Sequence, residues 1–61
     1  MKTYMYRTDG EMGQITAAGL NEALRSACEE AGVTDAAIED GGWCWVEDPD
    51  TGDRESIGIV P

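Results

Sequence analysis

The sequence predicts an α+β fold, in which a single helix packs on one face of a small antiparallel sheet in the order β-β-α-(β)-β-β, with a C-terminal hairpin. Two segments with turn chemistry, Asp9-Gly10 and Pro49-Asp50-Thr51-Gly52, each separate two alternating, strand-like runs. Between the two hairpins lies one stretch with apolar residues at helical spacing. A chain of 61 residues is near the lower size limit for a self-contained core, so we expect one small domain over residues 1–61.

The first hairpin is predicted over residues 4–17. Residues 4–8 alternate and are rich in aromatic and β-branched side chains, and residues 11–17 return as the second strand. Asp9-Gly10 is the preferred pair for a two-residue type I′ turn, which would place Tyr6 opposite Gly13. One face then holds Tyr4, Tyr6, Ile15 and Ala17, and the other holds Arg7 and Gln14. A longer loop ending at Gly13 would reverse the facing of the tyrosines.

The helix is predicted from Leu20 to Ala31. Gly19 can serve as its N-cap, Glu22 stands at the capping-box position, and Gly32 can adopt the left-handed conformation that ends a helix. The apolar stripe consists of Leu20, Ala23, Leu24, Ala27, Cys28 and Ala31. Residues 33–40 are weakly patterned, so Ile38 belongs either to a short strand or to a connection that it anchors.

The second hairpin is predicted with a four-residue loop, which pairs Asp48 with Asp53. The same register pairs Glu47 with Arg54, Trp45 with Ser56, and Trp43 with Gly58. One face holds Cys44, Val46, Ile57 and Ile59; the other holds both tryptophans over Ser56 and Gly58, with the Glu47–Arg54 pair at its edge. One helix, about 10 Å across, covers only one face of a sheet, so an apolar patch remains on the other face whichever one the helix meets.

The charge balance limits the partners. Thirteen acidic residues against four basic ones give a net charge of −9, which disfavours nucleic acid and anionic membranes as partners. The acidity fits three interpretations: solubility, adaptation to high salt, or mimicry of nucleic acid in the basic groove of another protein. The sequence has no run of apolar residues long enough to span a membrane, and it opens on MKTYMYRTDG without the apolar core of a signal peptide. We therefore expect a cytoplasmic protein.

The sequence offers little for catalysis or cofactor binding. It has no histidine, and its glycines form neither a phosphate-binding loop nor a dinucleotide motif. The acidic segment 47–55 departs from EF-hand spacing, so we interpret it as a turn, with a weak calcium site as the alternative. Cys28 and Cys44 are interpreted as small buried residues: a reducing cytoplasm disfavours a disulfide, and two thiols without histidine cannot complete a zinc site. We expect no enzyme activity, cofactor or metal.

The sequence thus predicts a non-catalytic protein-interaction module that forms a homodimer or binds another protein through an apolar sheet face. The candidate interface residues are Trp43, Trp45, Glu47, Arg54, Ser56 and Gly58. Two alternatives stay open. The tryptophans could belong to the core, or the protein could be an acidic inhibitor that occupies a basic groove.

Overall fold

A computed structural model describes all residues from 1 to 61 and contains four strands and two helices. In chain order these are β1 (Lys2–Thr8), β2 (Met12–Ala17), α1 (Leu20–Ala31), α2 (Asp35–Glu39), β3 (Trp43–Glu47) and β4 (Arg54–Gly58). The strands form one antiparallel sheet in the order β2-β1-β3-β4, and α1 packs on one of its faces. The predicted α+β fold is therefore confirmed. Neither helix has the length and apolar character needed to cross a membrane.

The first hairpin has the predicted register but not the predicted turn type. Tyr6 lies opposite Gly13, and the Thr8 amide donates to the Glu11 carbonyl at 2.8 Å. A type I′ turn requires positive φ at both central residues, whereas neither Asp9 nor Gly10 has one. The Thr8 hydroxyl oxygen instead accepts hydrogen bonds from the amides of Gly10 (3.3 Å) and Glu11 (3.1 Å). The threonine side chain organises the turn locally, and the loop length alone preserves the register.

The core lies between α1 and the two central strands. It is formed by seven buried residues: Tyr4, Tyr6, Ala17, Ala23, Ala27, Cys44 and Val46. The helix contributes only alanines to this set. Their small side chains leave room between helix and sheet for the large tyrosines of β1. The hairpin face with Cys44 and Val46 therefore meets the helix, and the face with the tryptophans looks away from it.

Helix α1 begins and ends where its sequence predicts. Gly19 is an extended N-cap, and Gly32 has the left-handed conformation with φ of 72°. Glu22 accepts a hydrogen bond at 3.4 Å from the amide of Ala18 rather than from that of Gly19. Glu22 thus bonds the residue before the N-cap, whereas a capping box would pair it with the amide of the N-cap itself.

The short strand considered for residues 33–40 is wrong, because residues 35–39 form helix α2. The Thr34 hydroxyl oxygen accepts a hydrogen bond from the Ala37 amide at 3.2 Å and so caps the helix N-terminus. Asp35 in the first turn is favourable there as well. These local N-terminal signals, with two alanines following, outweigh the single β-branched residue Ile38.

The second hairpin has every predicted pair, from Glu47–Arg54 to Trp43–Gly58. Its loop closes with a 2.8 Å hydrogen bond from the Asp48 amide to the Asp53 carbonyl. The placement of Ile59 on the same face as Cys44 and Val46 is wrong, because this residue lies beyond β4 and is 90% exposed. Gly58 has φ of 81°, which ends the extended conformation and with it the alternation of side chains.

Candidate interaction surface

The side of the sheet opposite α1 is uncovered, and we call it the outer face. Alternation places twelve residues on it: Thr3, Met5 and Arg7 from β1; Met12, Gln14 and Thr16 from β2; Trp43, Trp45 and Glu47 from β3; and Arg54, Ser56 and Gly58 from β4. The three residues of β3 are half-buried, and the other nine are exposed. All six predicted interface candidates lie together on this face.

Trp45 is held in place by the side chain of Arg54. The guanidinium carbon of Arg54 lies 4.1 Å from the centre of the indole ring. The same guanidinium donates two hydrogen bonds to Oε1 of Glu47, from Nη2 at 2.8 Å and from Nε at 3.2 Å. The arginine is thus fixed at both sides, so the indole ring is pre-ordered and has less conformational freedom to lose when it binds a partner.

Trp43 lies beside the end of β4, where a glycine is required. A side chain at Gly58 would place its Cβ 3.0 Å from Trp43 Cα and still closer to the carbonyl oxygen of Gly42. The positive φ of Gly58 also favours glycine. This close approach brings the two strands together beside the indole of Trp43.

Charge is distributed very unevenly between the outer face and the rest of the molecule. Glu47 is the one acidic residue on the outer face, whereas Arg7 and Arg54 are two of the four basic residues of the chain. The face thus has a small positive excess in a chain of net charge −9. The other acids lie in the two hairpin loops, on the two helices, at the C-cap of α2 and on the helix side of β4. The tryptophans are therefore not surrounded by acids.

Six residues of the outer face were not among the predicted candidates, and three of these, Met5, Arg7 and Met12, have large side chains. Met5 lies opposite Glu47, and Arg7 lies opposite Trp45, because β1 pairs with β3. Met12 follows on β2 opposite Arg7 and is 66% exposed. The first hairpin predicts that Arg7 faces away from the tyrosines, but only the strand order places it beside a tryptophan.

A groove remains on the helix side of the sheet, between α1, α2 and β4. Four strands span about 19 Å, roughly twice the width of a helix, so α1 leaves β4 largely uncovered. The groove has a volume of about 500 Å³. Its apolar lining consists of Leu24, Cys28, Val33, Ile38 and Ile57.

The two cysteines are free thiols that lie next to each other. Cys28 is half-buried in the groove wall, and Cys44 is completely buried behind it. Burial raises the pKa of the Cys44 thiol to about 12, and the neighbouring Cys28 adds to this effect. Cys44 therefore stays protonated at neutral pH and is a poor nucleophile.

The acidic turn contains a cation supplied by the chain itself. Nζ of Lys2 lies 2.7 Å from Oδ2 of Asp48 and 3.4 Å from Oδ2 of Asp50. The hydrogen bond from Lys2 lowers the pKa of Asp48, and the same bond raises the pKa of Lys2. No group of three acidic or thiol side chains is close enough together to hold a metal ion. The turn is thus an ion-paired loop that ties the N-terminus to the second hairpin.

Comparison of the chain with protein-family models, with curated proteins and with solved structures finds no match.

Proposed function

We propose that this protein is a non-catalytic interaction module that self-associates through its outer face. The observation that carries the proposal is the pre-ordered Trp45, which lies at the centre of an uncovered sheet face that is almost free of acids. Aromatic residues, methionine and arginine are enriched in protein interfaces, and lysine and glutamate are depleted there. The outer face has two tryptophans, two methionines and two arginines among its twelve residues.

Electrostatics favours a second copy of the chain as the partner in this orientation. Two molecules of net charge −9 repel each other in most orientations. Contact between outer faces brings together the surfaces with the fewest acids and keeps the acidic helices on the far sides. Added salt should tighten this association, because it screens the repulsion between the two acidic bodies and leaves apolar burial intact.

The size of the outer face predicts a weak dimer. Four strands of about five residues present a rectangle of about 19 by 17 Å, or ~320 Å² per copy. Side chains that project from the sheet add to this area, but two such faces still bury less than the ~1,200 Å² at the lower end of stable interfaces. We therefore expect dissociation constants in the range of ~10 μM to ~1 mM.

Sedimentation equilibrium across that concentration range tests the proposal. Met12→Glu adds a charge to the outer face at an exposed site, and Ile59→Glu adds the same charge at a site that is 90% exposed and lies beyond the end of β4. We expect Met12→Glu to abolish the dimer and Ile59→Glu to leave it nearly unchanged. A wild-type chain that stays monomeric at ~1 mM in high salt would refute self-association.

A second candidate function is inhibition of a protein with a basic groove. The observation that favours it is the acidic surface of α1, where Glu22, Glu29 and Glu30 form no ion pairs. This function requires binding through the helix side, and the binding would weaken steeply with salt. Titration with an oligolysine peptide would then shift α1 amide resonances at low salt, and Glu29→Gln with Glu30→Gln would reduce the shifts. The absence of shifts at low salt would argue against this candidate.

A further inference from the structure

We infer that two copies meet about a two-fold axis through the centre of the outer face, with Arg7 of each copy paired to Glu47 of the other. This inference rests on the proposed self-association. It adds the symmetry of the dimer and the residues that set its orientation.

Four neighbouring side chains define the centre of the outer face. Met5 lies opposite Glu47, and Arg7 lies opposite Trp45, on the adjacent strands β1 and β3. Ideal strand geometry makes these four positions a rectangle of about 4.8 Å across the strands and about 6.7 Å along them. Arg7 and Glu47 occupy one diagonal of this rectangle, and Met5 and Trp45 occupy the other.

On the Arg7–Glu47 diagonal, each copy has one hydrogen-bond donor group and one acceptor oxygen without a partner. The guanidinium of Arg7 makes no ion pair, since the pairs in the chain involve Lys2 and Arg54. Both hydrogen bonds from Arg54 end on Oε1 of Glu47, which leaves Oε2 without a protein partner. A carboxylate accepts about four hydrogen bonds, so Glu47 can take a second arginine without giving up the first.

Two-fold symmetry satisfies both groups at once. In an isologous interface, a contact from one residue to another is repeated in the reverse direction. A two-fold axis in the plane between the sheets, perpendicular to the Arg7–Glu47 diagonal, exchanges these two positions. Two identical ion pairs then form, and Met5 and Trp45 each lie close to their own counterparts near the axis. Strands of the two sheets would cross at about 70°, closer to the orthogonal class of sheet packing than to the aligned class.

The ion pairs set the orientation of the dimer more than its strength, because pairing buried charges also costs desolvation. The apolar contacts of Trp45 and Met5 supply most of the attraction. A face-to-face dimer without these pairs would leave two guanidinium groups desolvated and without acceptors. In the two-fold arrangement, Glu47 of each copy accepts hydrogen bonds from Arg7 of the other copy.

Charge-swap variants test the arrangement. Arg7→Glu places two carboxylates at each pair, and Glu47→Arg places two guanidinium groups there, so each variant alone should weaken the dimer by about tenfold or more. An equimolar mixture restores opposite charges at both pairs, so we expect a heterodimer tighter than either homodimer, detected by its mass in native mass spectrometry. Its affinity should stay below that of the wild type, because Glu47→Arg also removes the acceptor that holds Arg54 over Trp45 in one copy. Glu47→Arg reduces the net negative charge, so general electrostatics alone predicts tighter self-association for it.

Arg25→Glu is the matched control, since it makes the same charge change on α1. It should leave self-association nearly unchanged, and mixing it with Glu47→Arg should produce no preferred heterodimer. Far-UV circular dichroism of each variant verifies that the chain is folded. A wild-type chain that never dimerises would overturn both this inference and the proposed function. A wild-type dimer that Met12→Glu disrupts, with a charge-swap mixture no tighter than its components, would overturn only the two-fold arrangement.

Discussion

Replacement of Gly58 by alanine should destabilise the protein much more than the same replacement at Gly52. The two glycines have nearly the same backbone conformation, with φ of 81° and 80°. Their surroundings differ: no atom lies within 4 Å of a Cβ built at Gly52, whereas a Cβ at Gly58 meets the backbone of Gly42 and Trp43. The pair therefore separates the cost of the conformation from the cost of the close contact between strands.

The expected magnitudes follow from these surroundings. A left-handed conformation costs alanine about 1–2 kcal/mol, and the lower entropy of the unfolded chain returns about 0.4–1 kcal/mol. Gly52→Ala should thus lower the free energy of unfolding by ~1 kcal/mol. Gly58→Ala adds an overpacking cost of about 1–3 kcal/mol, for a total of about 2–4 kcal/mol. A chain of this size has a total stability of about 3–9 kcal/mol, so the loss would be large.

Urea unfolding followed by tryptophan fluorescence and far-UV circular dichroism measures both effects. The protein concentration should be low enough to keep the chain monomeric, and an unchanged slope with urea would show that two-state analysis holds. Equal losses for the two variants would refute the reasoning, because they would show that the end of β4 does not press against the backbone of Gly42 and Trp43, where β3 begins.

Two further predictions concern ionisation and thiol chemistry. Because Lys2 lowers the pKa of Asp48, the unfolded chain binds more protons than the folded chain as the pH falls below about 4, and stability declines there. Lys2→Met should flatten this acid limb in urea titrations at several pH values, and an unchanged limb would contradict the role of the pair. Iodoacetamide should label the native chain at Cys28 only, because Cys44 is buried and its pKa is raised to about 12. Cys28→Ser should therefore leave a folded chain without a fast-reacting thiol; rapid labelling of that variant would contradict the burial of Cys44.

Local signals in the sequence were sufficient to predict the two hairpins and the main helix. The register of each hairpin follows from the length of its loop, and Gly19 and Gly32 bound α1 as predicted. The errors occurred where a side chain forms a hydrogen bond with nearby backbone amides and so sets a local conformation that the residue pattern does not predict. Thr8 organises a turn that the pair Asp9-Gly10 alone would make type I′, and Thr34 caps a helix where a short strand had been considered.

The strand order could not be predicted from the sequence, and the character of the outer face depends on it. Pairing of β1 with β3 is a long-range contact with no local signal, yet it places Arg7 and Met5 beside Trp45 and Glu47. The separation of acids from this face follows instead from the positions of the loops and helices and from the alternation of side chains in β4. The groove beside α1 was missed as well, because it results from the width of the four-stranded sheet relative to one helix.

Amide and indole NMR shifts followed over protein concentration test the central claim most directly, because they locate the contact as well as detect it. From ~10 μM to ~1 mM, we expect the resonances of the Trp45 indole N–H and of the Met5, Arg7 and Gln14 amides to shift. The amide resonances of α1 should not change. Shifts that concentrate on Leu24 and Ile57, which line the groove, or no shifts at the highest concentration, would contradict self-association through the outer face.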